Sequence, residues 1–97
     1  MAASITLTSD VLKLAGELDR FNLGDKAMYR YPKVSGDLTV DLTDVTATDT
    51  AGLSYLLDLI AFYESKSINV KISYIPEQLI ALAQISNVLE LLPLSSN

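Results

Sequence analysis

The chain has 97 residues, 49% of them hydrophobic, with seven basic against twelve acidic side chains and a net charge of −5. That length and apolar content fit one folded domain over residues 1–97, able to bury roughly two-thirds of its unfolded surface, and argue against disorder. The acidic balance lacks the basic stripe that nucleic acid or an anionic lipid surface requires, so neither nucleic-acid binding nor direct membrane insertion is expected.

The chain contains no cysteine and no histidine. Disulfides and thiolate sites are thereby excluded, which fits a reducing compartment, and the commonest general base and metal ligand are missing. No cofactor and no metal is expected. No apolar run approaches the roughly 18 residues needed to span a bilayer. The opening "MAASITLTSD" has neither the charged start nor the apolar core of a signal peptide. A soluble cytosolic protein is expected.

In chain order, "SITLTSDVLKLAGELD" reads as two short strands around a Ser9-Asp10 turn, with Ile5, Leu7, Leu12 and Leu14 keeping a period of two and Gly16 ending the second. Residues 19–30, "DRFNLGDKAMYR", carry a weaker helical pattern of Phe21, Leu23, Ala27 and Met28, interrupted by Gly24. "YPKVSGD" is a loop punctuated by Pro32 and Gly36. Leu38, Val40 and Leu42 mark the clearest strand, and a Thr-rich turn leads from it into a helix from about Thr50 to Lys66. In "SINVKISYI", Ile68, Val70, Ile72 and Tyr74 alternate with polar residues, as in a strand wet on one side. Pro76 is expected at the first position of a last helix, "PEQLIALAQIS", and "NVLELLPLSSN" ends the chain as a half-turn and a tail. Strand, strand, weak helix, strand, helix, strand, helix predicts an α/β fold: a small mixed sheet with helices packed on one face.

The stretch "VTATDTAGLSYLL" holds the chemistry of interest. Asp49 sits where an N-cap belongs, its carboxylate placed to accept the N–H groups of Ala51 and Gly52 and to complement the helix dipole. Gly52 in the first turn permits a close backbone approach by another strand or by a partner. One glycine without a neighbouring Lys or Arg makes a poor phosphate cradle. At 100° per residue, Leu53, Leu56, Ile60 and Tyr63 form the core side of the helix, flanked by Leu57 and Leu59. Thr50, Ser54, Ala61 and Ser65 form a strip of small residues. Tyr55 and Phe62 fall beside it with Ala51 and Asp58. Aromatics in a patch poor in charge have the composition of an interface core. Packing of Tyr55 and Phe62 beneath a neighbouring loop or the N-terminal segment is the open alternative.

"LKLAGELD" (residues 12–19) followed by "LTVDLTDVTATDTAGL" (residues 38–53) resembles the STAS domain, the fold of anti-sigma-factor antagonists. The shared pattern is a strand ending Gly-Glu-Leu-Asp, then apolar-Asp-Leu-hydroxyl, then Asp-hydroxyl-x-Gly-Leu opening a helix. In sporulation-type antagonists the last motif is Asp-Ser-Ser-Gly, and a kinase phosphorylates its second hydroxyl. Here that position is Ala51, so the resemblance to a phosphoswitch fails at its central residue, while Thr50 keeps the first hydroxyl. Asp-Thr-x-Gly-Leu-x-x-Leu-Leu is more similar to the branch serving as the small cytosolic STAS subunit of a bacterial phospholipid ABC transporter. That resemblance implies a non-catalytic protein that binds the ATPase subunit and is held at the inner membrane through it. It also implies a partner-binding surface of Thr50, Ala51, Ser54, Tyr55, Asp58 and Phe62.

Two rival functions follow from the same stretch. A regulatory module switching partners by phosphorylation would have to use Thr50. An enzyme or small-ligand site would have to use Asp41, Asp44 and Asp49, clustered near a strand end where three acids could hold Mg²⁺, yet no lysine or glycine-rich loop accompanies them.

Overall fold

A computed structural model of the chain describes residues 2–94. Four strands, β1 (Ser4–Thr8), β2 (Val11–Leu18), β3 (Leu38–Thr48) and β4 (Val70–Ser73), form one sheet in the order β1-β2-β3-β4. β1 and β2 form an antiparallel hairpin closed at Ser9-Asp10, with Ser9 in the left-handed region at φ 54°; β2–β3 and β3–β4 are parallel. Helix α1 (Thr50–Glu64) joins β3 to β4, and α2 (Glu77–Ile85) follows β4. Both helices pack on one face, over the buried Leu12, Leu14, Leu18, Leu38, Val40, Leu42, Val70 and Ile72. Lys13, Glu17, Thr39 and Asp41 occupy the wetter face, where Lys13 pairs with Asp44 at 2.9 Å. The expected α/β architecture of a small mixed sheet with helices on one face is what the chain adopts.

Several element boundaries differ from expectation, each for a local reason. Gly16 does not end β2: it sits inside the strand at φ 84°, at a register shift opposite β3, and the strand runs on to Leu18. The Thr-rich stretch 45–48 is no turn. It extends β3, with Val45, Ala47 and Thr48 paired to Gly16, Glu17 and Leu18, because a parallel neighbour supplies ladder partners that threonine fits well. β4 is shorter than the alternating pattern, with Ile68 before it and Tyr74 after it, 57% exposed and at φ 59°. Helix α1 stops at Glu64, two residues before Lys66, and Pro76 is the N-cap of α2, one residue outside it.

Residues 19–30 form no α-helix. Asp19 closes a turn by accepting the Phe21 N–H at 3.1 Å and the Asn22 side-chain amide at 2.8 Å, and one short 3₁₀ turn spans Lys26–Tyr29. Of the expected apolar stripe, Leu23 and Met28 are buried, but Phe21 is 78% exposed. The segment must still carry the chain from the end of β2 back to the start of β3, roughly 26 Å for an eight-residue strand. It does so alongside α1, held by three tyrosine hydroxyls. Tyr55 donates to the Met28 carbonyl, Tyr31 to Asp58 Oδ2 at 3.0 Å, and Tyr63 to the Pro32 carbonyl.

After α2 a second 3₁₀ turn (Leu89–Leu91) brings the chain to the open side of β4. There the Ile72 N–H donates to the Pro93 carbonyl at 2.8 Å and Leu94 forms a parallel bridge with Ile72. The expected tail, residues 95–97, lies outside the described residues. Ile72 is thus bonded on both sides and 1% exposed. Ile72→Ala should destabilise the chain by about 2–5 kcal/mol, lowering the thermal midpoint by roughly 8 °C or more. A melt indistinguishable from the parent would contradict this placement.

Candidate functional site

The first turn of α1 is wedged against the end of β2. A Cβ built on Gly52 would overlap the Leu18 carbonyl oxygen and Thr48 Oγ1, with the Leu18 carbonyl carbon at 3.1 Å. Of the two roles open to this glycine, close approach of a strand is therefore the one the fold uses. Asp49 completes the junction. One carboxylate oxygen accepts the Gly52 N–H at 3.1 Å, capping α1, and the other accepts the Arg20 N–H at 3.1 Å, with the Arg20 guanidinium 3.9 Å away. The Thr48 N–H donates to Gln78 Oε1 at 3.1 Å, so α2 is tied to the same corner. Burial acts to raise the Asp49 pKa, but the Arg20, Gly52 and Ala51 N–H groups together outweigh it and hold the carboxyl below its usual range.

Thr50 is exposed at the start of the helix, and Ser54, Asp58, Ala61 and Ser65 continue an exposed strip along it. Ala51, Ser54, Tyr55 and Asp58 meet, together with Tyr29, around a shallow hollow of about 330 Å³. Four of the residues singled out in the sequence therefore share one depression, and Thr50 lies one residue before it. Tyr29 was not foreseen; the only hint was an aromatic pair, Tyr29 and Tyr31, just before Pro32 in a segment without clear period.

Tyr55 is not an exposed aromatic. It is 3% exposed beneath the 25–31 segment, its ring edge-on to Tyr29 at 5.3 Å and to Tyr31 at 6.1 Å. The alternative of packing under a neighbouring loop holds for it, and it reaches the hollow only as part of the lining. Phe62 remains 37% exposed but packs against Tyr31, the rings tilted by 56° with centroids 5.0 Å apart, toward the other end of the helix. Burial, with the hydrogen bond to Asp58 next, raises the Tyr31 pKa, and burial raises those of Tyr55 and Tyr63. All three stay protonated donors at neutral pH.

The three aspartates considered as a cation site do not come together. With β3 extended to Thr48, Asp41 lies mid-strand and accepts from Thr43, Asp44 pairs with Lys13, and Asp49 is taken up by backbone amides. Among the described residues no three acidic side chains converge on a metal position.

Two outcomes are expected at this corner. Gly52→Ala must displace backbone rather than a flexible side chain, and should destabilise by about 1–3 kcal/mol in a denaturant titration, where an exposed helical Gly→Ala would stabilise. The Asp49 carboxylate, with its folded pKa below the usual 3.8, contributes stability that is present above that value and lost as pH falls through the folded value. Asp49→Asn keeps a capping oxygen and should flatten the fall in stability below about pH 4. An unchanged acid limb would contradict the role of Asp49.

With this geometry in view, the comparisons with known proteins are concordant. The family model described as "Mlab, STAS domain" matches residues 1–93. The intermembrane phospholipid transport system binding proteins MlaB of Escherichia coli (strain K12) and Shigella flexneri are each 35% identical over 80 residues, 82% of this chain and 82% of theirs. The anti-sigma factor antagonist SpoIIAA in its unphosphorylated form superposes with a TM-score of 0.57 at 13% identity, over 99% of this chain and 89% of that one, a likeness of fold. The chain belongs to the STAS domain family.

Proposed function

We propose that this protein is a non-catalytic accessory subunit of a bacterial phospholipid ABC transport complex that maintains outer-membrane lipid asymmetry. In this reading it binds an MlaF-like ATPase subunit through the corner where α1 begins. The observation that carries the reading is the pairing of an exposed Thr50 with the adjacent hollow of Tyr29, Ala51, Ser54, Tyr55 and Asp58. A hydroxyl, small side chains, aromatic edges and one carboxylate offer a concave, lightly charged surface of the kind that forms an interface centre. The name carried by the relatives, a binding protein of a phospholipid transport system, supplies the class of partner. Ala51 stands at the position where the resemblance places the phosphoacceptor of antagonist-type switches, which favours constitutive docking over a phosphorylation switch. Among the described residues no helix is long and apolar enough to cross a membrane, consistent with a cytoplasmic subunit held at the inner membrane by its partner.

Within that surface the residues have different parts. Thr50, Ser54 and Asp58 are exposed and one helical turn apart, so a single partner element could contact all three. Tyr55 shapes the hollow from below, and Phe62 extends the patch through Tyr31.

Thr50→Glu separates docking from folding. A carboxylate at the first helical position complements the dipole, so the isolated chain should melt at or slightly above the parent temperature. The same charge buried against a partner without a counter-ion costs several kcal/mol, so copurification with the ATPase subunit should be lost. Unfolding of the variant would make Thr50 structural, and normal binding would place the interface elsewhere. Phosphate on Thr50 in the native complex would instead favour the switching module.

A further inference from the structure

At the far end of α1 from Thr50, the 31–37 loop and the residues just after the helix enclose a cleft of about 540 Å³, larger than the hollow at the docking corner. The size falls within the roughly 300–1,000 Å³ of small-molecule sites. Its apolar lining is Pro32, Val34, Ile68 and the exposed part of Phe62, with the Tyr31 ring tilted against Phe62 at 5.0 Å. Two of the chain's seven basic residues, Lys33 and Lys66, also line it. Neither has a carboxylate partner among the described residues; Lys66 Nζ lies 5.4 Å from the Phe62 ring centre.

Every other ionisable group in the cleft is engaged. The Tyr31 hydroxyl donates to Asp58, the Tyr63 hydroxyl to the Pro32 carbonyl, and Asp37 accepts from the Asn69 side chain at 3.4 Å. The result is an apolar slot edged by two ammonium groups against one carboxylate, Asp37, a local excess of positive charge on a molecule whose net charge is −5. Such a local inversion of charge selects an anion, and the slot selects an apolar body attached to it. A phosphomonoester carries about −1.5 to −2 charges at neutral pH, the complement of two ammonium groups.

We propose that this cleft is a binding site for a single-chain alkyl or small aryl phosphomonoester, with Lys33 and Lys66 on the phosphate and the apolar body along Phe62, Val34 and Ile68. The proposal does not depend on the docking reading: the two surfaces share Tyr31 and Phe62, but both lysines and the rest of the cleft lie beyond the hollow at Ser54 and Asp58. Its ligand is a small molecule rather than a protein.

The test is amide chemical-shift titration of the whole chain with 1-naphthyl phosphate and, separately, with dodecyl phosphate kept below its micelle concentration. The two probes distinguish an aryl from an alkyl body. At least one should give saturable shifts concentrated in residues 31–37 and 62–68. Lys33→Glu/Lys66→Glu should weaken it by about tenfold or more, since two exposed ion pairs are lost and reversed. Lys33→Arg/Lys66→Arg should bind within about twofold of the parent, and both double variants should melt like it, because the two side chains are exposed. Equal binding by the Glu variant, equal shifts from inorganic phosphate alone, equal affinity for 1-naphthol, or shifts centred on Ser54 would each overturn the assignment.

Discussion

The corner where α1 begins is built on a contact that leaves no room for a side chain. Gly52 lies against the last carbonyl of β2, and any Cβ there would overlap backbone. This contact sets how closely the helix approaches the sheet. Asp49 then fixes the helix's start from two directions, accepting one amide from α1 and one from the turn after β2. Gln78 adds a third tie from α2 to Thr48. Four elements therefore meet at one point, and the exposed Thr50 emerges from it with little freedom to shift. A docking surface placed there is preorganised, which lowers the ordering cost of binding.

The second constraint is topological. β2 and β3 are parallel neighbours, so the chain must cross between them, and here the crossover contains no α-helix. A crossover of this kind has few internal hydrogen bonds and must be tied down by something else. Tyrosine suits the task, since its ring buries apolar surface while its hydroxyl reaches a backbone carbonyl or a carboxylate. Tyr55, Tyr31 and Tyr63 do this along the length of α1 and fix the crossover beside it. One consequence is the hollow at Tyr29 near the helix start; another is the cleft at Lys33 and Lys66 beyond its end. Both concave surfaces of α1 are products of how the crossover is attached.

These constraints explain which parts were legible in the sequence. The alternation of Leu38, Val40 and Leu42, the paired period at Val70 and Ile72, and the helical stripe from Leu53 to Tyr63 are local patterns, and each marked its element. Asp49 was legible as a cap because the cap is made with its own helix. Asp49's second bond, to Arg20, spans 29 positions and leaves no local trace. The same holds for Tyr55: projection gave its direction on the helix, but the segment that covers it lies 27 residues upstream. Gly16 and the threonines at 46 and 48 were misjudged because composition marks turns, whereas parallel pairing with register shifts made strand of them. The helix side of the hollow was thus visible as a set of residues on one helix face. Its depth and its outer wall, formed by Tyr29, required the fold.

Hydrogen–deuterium exchange on the chain alone and mixed with the ATPase subunit proposed as its partner tests the central claim most directly. The account predicts new protection in residues 49–58 and around Tyr29, with β1 and the Leu94 side of β4 unchanged. Protection confined to those sheet edges, with the start of α1 exchanging as in the free chain, would contradict it.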